Sequence, residues 1–203
     1  MEDLIRKSKE DFILAAKRAR LSGIQTGNGG NISVRVPGKD WMAVKASGVS
    51  FEESALDSIV VTDFTGKVIE GDLKPTREFV LHASLYQRYP DIGAIVHTHS
   101  PYAIAWSFSG RDIPLVTKHT QMKLKNPIPV VLVTTTEVKP ENIDLVHAAF
   151  AAQPALTAFV LQGHGIVAVG KSAVEAEYSA ELVEETAQIA WLQAVGQKIG
   201  LLP

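Results

Sequence analysis

NISVRVPGKDWMAVKASG (31–48) carries the reading that decides the fold. ISVRV (32–36) alternates apolar and polar residues, the period-two pattern of a half-buried strand, and WMAVKASG (41–48) and SIVVTDFTGKVIEG (58–71) continue it, with a turn at Thr65-Gly66. Three or more strands joined by turns rather than helices point to an antiparallel sheet. Upstream, residues 3–22 put Ile5, Phe12, Ala16 and Ala19 on one helical stripe, with Gly23 where a helix C-terminus favours it. Downstream, Thr76 in KPTRE (74–78) is placed to N-cap a helix beginning near Glu78, along which Leu81, Leu85 and Tyr89 recur at helical spacing. DIGAIVHTHS (91–100) reads as a buried strand ending in two histidines, with PYAIAWSFS helical after it. Residues 127–138 read as extended and 141–152 as helical. AFVLQGHGIVAVG (158–170) reads as two strand halves broken around Gly163-His164-Gly165, and a long helix follows from a Ser172/Glu175 capping box to about Ala194. Strands and helices do not alternate as a doubly wound parallel sheet would require. The expected fold is α/β: a three-layer α/β/α arrangement around a mostly antiparallel or mixed sheet, with 1–203 as one domain.

Composition narrows the function. With 203 residues and 46 % hydrophobic content there is material for one substantial core. A net charge of -2 gives no global attraction to nucleic acid or to an anionic membrane, so a basic site would be a local pocket. No cysteine is present, which excludes disulfides, thiolate metal sites and thiol nucleophiles; a metal would need His, Asp or Glu. MEDLIRKSKEDF has no apolar signal core and no apolar run approaches a membrane span, so the expected location is cytoplasmic.

Residues two apart on a strand share a face, so His97 and His99 can present two imidazoles side by side. An isolated His-x-His pair is as readily one solvated and one hydrogen-bonded core histidine. Here a third, His164, lies between two glycines in another apolar strand, where bare backbone permits close approach of a ligand or metal. Three convergent histidines leave a coordination position open, the catalytic rather than the structural pattern. Glu78, at a helix start, sits where a carboxylate or an anion is favoured, though first-turn acids are ordinary capping residues. His82 follows one turn later, as a partner behind that site or as a satisfied helix histidine; His147 reads as plain helix surface, and His119 has no marked setting. TGNGGN (26–31), with Asn28 and Asn31, Ser47-Gly48 and Thr76-Arg77 supply the amide, hydroxyl and guanidinium donors that a phosphate needs, although each piece alone is also turn or capping chemistry.

Taken together, GNGGNISVR (27–35), KASG (45–48), KPTRE (74–78), YPDIGAIVHTHSPYA (89–103) and LQGHGIVAVG (161–170) resemble the class II aldolase and adducin head family, which includes L-fuculose-phosphate aldolase and related sugar-phosphate lyases. The resemblance spans nearly the whole chain. It implies one divalent metal ion per subunit, expected to be Zn2+, on His97, His99 and His164, with Glu78 as acid/base and as an added ligand when no substrate is bound. It implies a phosphate held by Asn31, Ser47, Gly48, Thr76 and Arg77, and a homotetramer with sites at subunit interfaces. The activity expected first is retro-aldol cleavage of a ketose 1-phosphate, a small phosphorylated sugar, to dihydroxyacetone phosphate and an aldehyde through a metal-stabilised enediolate.

Departures from the family pattern keep alternatives in play. Arg77 stands where the aldolases carry a second serine and looks more like the branch that decarboxylates phosphorylated 3-oxo sugar acids. Lys118 or His119 falls where a neighbouring subunit's aromatic residue is expected, and the aromatic tail that closes some aldolase sites is missing after the last helix. Glu78 is not the aspartate of the epimerases, and KHTQMK (118–123) lacks the glutamate of the dehydratases, which ranks those two below aldolase and decarboxylase. A non-catalytic interaction module like the adducin head comes last, because the three histidines are intact.

Overall fold

The antiparallel run announced by 31–71 is the start of one eight-stranded mixed sheet, ordered β4-β3-β2-β1-β5-β8-β7-β6. The computed structural model describes residues 1–133, 135 and 138–203. β1 (Asn31–Arg35), β2 (Trp41–Lys45), β3 (Ile59–Asp63) and β4 (Val68–Glu70) form the meander, with Gly66 at positive φ in the last turn. β5 (Ala94–Thr98) pairs with β1 on one side and with β8 (Gly165–Gly170) on the other, and β8 pairs with β7 (Ala158–Leu161). All these pairings are antiparallel; β6 (Val130–Val131) runs parallel to β7. β5 is therefore a central strand, and all five of its residues are buried.

Helices cover both faces. α1 (Glu2–Leu21), α3 (Pro101–Ser107) and α6 (Ala173–Lys198) pack on one side, α2 (Phe79–Arg88) and α5 (Ile143–Ala152) on the other; α4 (Lys118–Lys123) is a short turn of helix between α3 and β6. α1 buries Ile5, Phe12, Ala15, Ala16 and Ala19 and points Arg6–Glu10 and Lys7–Asp11 ion pairs outward at i, i+4 spacing. Ala173, Ala176, Ala180, Val183, Ala187 and Ala190 form the buried stripe of α6, whose short side chains let it lie close to β5 and β8. The second core, under α2 and α5, is built from larger groups: Leu81, Leu85, Tyr86, Phe150, Phe159 and Ile95. The result is the expected three-layer α/β/α fold around a mixed sheet. No helix among the described residues is long and apolar enough to cross a membrane.

Local expectations need four corrections. α2 starts at Phe79 with Glu78 as its N-cap, and the Thr76 hydroxyl accepts from the Glu78 amide, at 3.4 Å, not from an amide of the helix. Among the described residues of 127–138 only Val130–Val131 pairs as a strand; Thr134, Thr136 and Glu137 lie outside the described residues. Ser172 does cap α6 by accepting from Glu175 N, but the Glu175 carboxylate takes the Lys171 amide, so the reciprocal half of the box is displaced by one residue. His147 is not plain surface: it is nearly buried and its ring packs against Tyr89 at 5.6 Å between centroids.

Candidate active site

Sheet register brings the histidines together. His97, next to last in β5, lies opposite Asn31 of β1 and Val167 of β8; His99 is just past the strand, and His164 is in the β7–β8 turn. The three rings are 4.7 to 5.0 Å apart between centroids. Two close backbone approaches allow this. A side chain at Gly165 would overlap the Thr98 carbonyl, and one at Gly29 would put its Cβ 2.6 Å from His99 Nδ1. The Gln25 side chain fixes the far end by accepting the His99 amide at 2.7 Å.

Protonation follows from the partners. His97 Nδ1 lies 2.8 Å from the Ile166 carbonyl, which can only accept, so Nδ1 carries a hydrogen and Nε2 is the ring nitrogen turned inward. That nitrogen sits 3.4 Å from His164 Nε2 and 3.4 Å from Glu78 Oε2. Burial, and then the neighbouring His97 and His164, push His99 down to about 4, so its ring is neutral near pH 7. Glu78, 7 % exposed, is the fourth group. Burial would raise its pKa, but His97, His164, the Asn31 amide and His82 together hold it below the ordinary value, so it is a carboxylate. Its Oε2 accepts from Asn31 Nδ2 at 2.6 Å; its Oε1 is buried, has no hydrogen-bond partner among the described residues and lies 3.8 Å from His164 Nε2.

The donors fit a divalent cation. One nitrogen from each of His97, His99 and His164 can be chosen so that all lie within 4.8 Å of one another, and an orphaned carboxylate oxygen faces the same space. Unpaired buried oxygen is costly unless something electropositive meets it. Three imidazoles and a carboxylate are a set that zinc accepts.

An open cleft of about 440 Å³ adjoins this cluster. Ser47, Gly48, Thr76 and Arg77 line it with Glu78, His99 and His164, so most of the residues singled out from sequence share one wall. A bridge between Ala46 and Pro75, with Ser47 N donating to Lys74 O and Thr76 N to Lys45 O, holds those two segments together. Asn31 stands elsewhere: both ends of its amide face protein groups, Glu78 and His82, behind the carboxylate. Lys118 and His119 are exposed on α4 and do not line the cleft.

Lys45 is the wall residue that sequence reading passes over. It is 3 % exposed, donates to the Asn28 and Val49 carbonyls at 2.9 and 2.5 Å, and burial lowers it to about 8 against the attraction of Glu78. A lysine in the apolar run WMAVK was the available signal, since lysine is rarely buried without partners.

A family model described as the Class II Aldolase and Adducin N-terminal domain matches residues 10–191. The L-ribulose-5-phosphate 4-epimerase UlaF of Salmonella paratyphi A is 35 % identical over 189 residues, 89 % of this chain and 82 % of that protein. Among solved structures, an L-fuculose 1-phosphate aldolase is similar at TM-score 0.81 and 30 % identity, covering 92 % of this chain and 85 % of that one. YgbL of Klebsiella pneumoniae, whose description offers aldolase, epimerase and decarboxylase as alternatives, is similar at TM-score 0.78 and 30 % identity over 93 % of this chain and 90 % of that one.

Proposed function

The chain belongs to the class II aldolase and adducin N-terminal domain family, and from that premise we propose that it inverts one carbon of a ketopentose 5-phosphate by breaking and remaking a carbon–carbon bond. The sequence alone ranks aldol cleavage first. The 35 % identity to an L-ribulose-5-phosphate 4-epimerase over 89 % of the chain is the observation that moves the epimerase ahead of it.

The chemistry joins the two readings. In a 2-ketopentose the hydrogen on C4 is not adjacent to the carbonyl and is not acidic, so C4 is inverted more readily by cleaving C3–C4 and re-forming that bond on the aldehyde's other face. An aldolase cleaves the equivalent bond and releases the pieces. A divalent cation held by His97, His99 and His164 would supply the Lewis acidity that lets the carbonyl-side fragment carry negative charge. Glu78 is the proton carrier: its Oε1 faces the histidines without a hydrogen-bond partner, and as a carboxylate it can take the hydroxyl proton that leaves C4 as the bond breaks. Ser47, Thr76 and the Gly48 amide receive the phosphate, with Arg77 at the rim and Lys45 keeping the wall positive. Holding the phosphorylated aldehyde between cleavage and recombination is what separates an epimerase from an aldolase.

The second reading, release of dihydroxyacetone phosphate from a ketose 1-phosphate, is favoured by Glu78 itself, because the resembling epimerases carry the shorter aspartate there. One experiment in deuterium oxide separates them. With L-ribulose 5-phosphate, inversion at C4 without deuterium at C3 supports the epimerase. Release of dihydroxyacetone phosphate bearing solvent deuterium, from a ketose 1-phosphate, supports the aldolase. Carbon dioxide from a phosphorylated 3-oxo acid, with neither of these, overturns both.

The proposal includes a homotetramer. Phe108, Met122 and Trp191 are large, apolar and exposed, side chains of the kind a subunit interface covers. Sedimentation equilibrium giving a monomer mass at micromolar concentration would remove this part alone.

A further inference from the structure

Behind Glu78 runs a line of buried polar side chains that the reaction as described does not use. Asn31, Ser33, His82 and Tyr86 are each 3 % exposed or less, on β1 and α2, and they touch in sequence. Asn31 Nδ2 is 2.6 Å from Glu78 Oε2, and Asn31 Oδ1 is 2.5 Å from His82 Nε2. Ser33 Oγ is 2.6 Å from His82 Nδ1 and 2.8 Å from the Tyr86 hydroxyl, which also reaches the Ser33 carbonyl at 3.0 Å.

The chemistry at the two ends fixes every hydrogen between them. A carboxylate only accepts, so the nitrogen of Asn31 must face Glu78 and the oxygen must face His82. That oxygen only accepts, so His82 Nε2 carries the ring hydrogen. Nδ1 is then a lone pair that accepts from the Ser33 hydroxyl, and the single Tyr86 hydroxyl hydrogen is shared between Ser33 Oγ and the Ser33 carbonyl. Burial keeps His82 neutral, pushed down to about 3, as this arrangement requires. The opposite tautomer would set a bare ring nitrogen against the Asn31 oxygen, and a turned Asn31 amide would set oxygen against oxygen at Glu78, each leaving a buried acceptor unsatisfied.

We propose that His82 is a positioning residue: in its Nε2-protonated neutral form it locks the Asn31 amide against Glu78 Oε2, so that the carboxylate is held in one orientation with Oε1 as its unbonded oxygen. The lock gives the two oxygens different duties. Oε2 keeps the Asn31 hydrogen bond 3.4 Å from His97 Nε2, and Oε1, 3.8 Å from His164 Nε2, is the one that moves a proton. The inference rests on Glu78 being the proton carrier proposed above.

The lock makes a prediction about which half of the imidazole matters. In His82→Gln the amide can reach the place of Nε2 and still donate to Asn31; in His82→Asn only the Nδ1 side is imitated; in His82→Leu neither is. In the full-length protein loaded with Zn2+, His82→Gln is expected to stay within about threefold of wild-type kcat. His82→Asn and His82→Leu should lose about 10- to 100-fold in kcat, and in Zn2+ affinity measured by chelator competition, with KM for the phosphorylated sugar moving less than twofold. A KM increase at unchanged kcat, or His82→Gln as impaired as His82→Leu in both readouts, would overturn the proposal. Nitrogen-15 NMR of His82 in the wild-type, metal-free protein decides it without turnover: the Nε2–H tautomer is expected, and an Nδ1–H tautomer or a doubly protonated ring near pH 7 refutes it. Ser33→Ala, which removes the donor to Nδ1 and the hydroxyl facing Tyr86 but leaves the Asn31 contact, offers the same NMR readout should His82→Leu fail to fold. If no substrate turns over while the tautomer and Zn2+ affinities come out as expected, the proposed reaction fails and the orientation of Glu78 by His82 and Asn31 stands.

Discussion

Two glutamates, Glu78 and Glu177, are each almost completely withdrawn from solvent, and their environments drive them in opposite directions. Glu78, at the start of α2, is held below the ordinary carboxylate value despite its burial, because two imidazoles and an amide face it. Glu177, within α6 on the other side of the sheet, is raised to about 7. Burial is the main cause there, and the Arg18 guanidinium, donating at 2.7 Å, pulls against it, while the neighbouring Glu181 adds to the rise. Glu177 is an internal tie between α1 and α6 and lines no part of the cleft. Burial of an acid therefore does not mark a site in this molecule. Nor does an unmatched oxygen, since Glu177 Oε1, like Glu78 Oε1, has no hydrogen-bond partner among the described residues; what marks the site is a carboxylate kept charged beside groups able to hold a cation.

The sharpest way to break that contrast is to neutralise each acid in turn. Glu78→Gln should lower kcat/KM by about 10²- to 10⁴-fold, the usual worth of a positioned acid/base. Glu177→Gln should leave it within about threefold, with both proteins checked for native circular dichroism. Equal losses would mean that burial, not facing chemistry, sets function. The second test concerns the cation. Added Zn2+ should stabilise the wild type by about 2.7 kcal/mol at a hundredfold excess over Kd, read as a rise in Tm. His97→Ala should abolish the rise and bind less than about one tenth of an ion per chain by elemental analysis.

Much of this was legible in the sequence because it is local or periodic. The alternation of 32–36 and the turn-separated runs after it gave the meander, and the three histidines could be paired because two sit at strand spacing and the third is framed by glycines. The illegible parts depend on register between distant segments. His82 reads either as a partner behind the site or as a satisfied helix histidine until β1 is set against α2, and only then does Asn31, 51 positions away, reach its ring. The same register turns Asn31 from the phosphate residue that the resemblance implies into a support for Glu78. His147 was misread because the helical stripe of α5 does not show that Tyr89 rises to meet it. Lys45 was overlooked because its partners are two backbone carbonyls, which leave no trace in a side-chain pattern.

Lys45 gives the third test, with a smaller effect. In Lys45→Met the two loops it joins lose their shared donor and the cleft loses a positive charge. KM for the phosphorylated sugar should rise about tenfold, about 1.4 kcal/mol, with kcat changed less than threefold. A fall in kcat at constant KM would place Lys45 with Glu78 in proton transfer instead of with the phosphate.

The smallest effect, and the one that tests the other half of the comparison, is the pH dependence of stability contributed by Glu177. A carboxyl whose folded pKa stands near 7, above its ordinary value near 4.5, binds more protons folded than unfolded between those two values. Its contribution is complete at the acid end of that window and is lost as pH rises toward and past 7. His82 and His99 act in the opposite sense over much of the same range: their folded values are depressed to about 3 and about 4, so they favour the fold more as pH rises through their unfolded values. Glu78, whose shift is downward, loses its contribution only below the ordinary carboxylate range and stays silent above pH 5. The raw Tm profile of the wild type is thus a sum of opposed slopes, and the informative quantity is the difference between wild type and Glu177→Gln. In metal-free protein, that difference should move in favour of the wild type as pH falls from 8 to 5, measured by calorimetry at several intermediate values. A flat difference would mean that Arg18 holds Glu177 charged across the range, making it an ordinary buried ion pair and leaving Glu78 with no counterpart to be contrasted with.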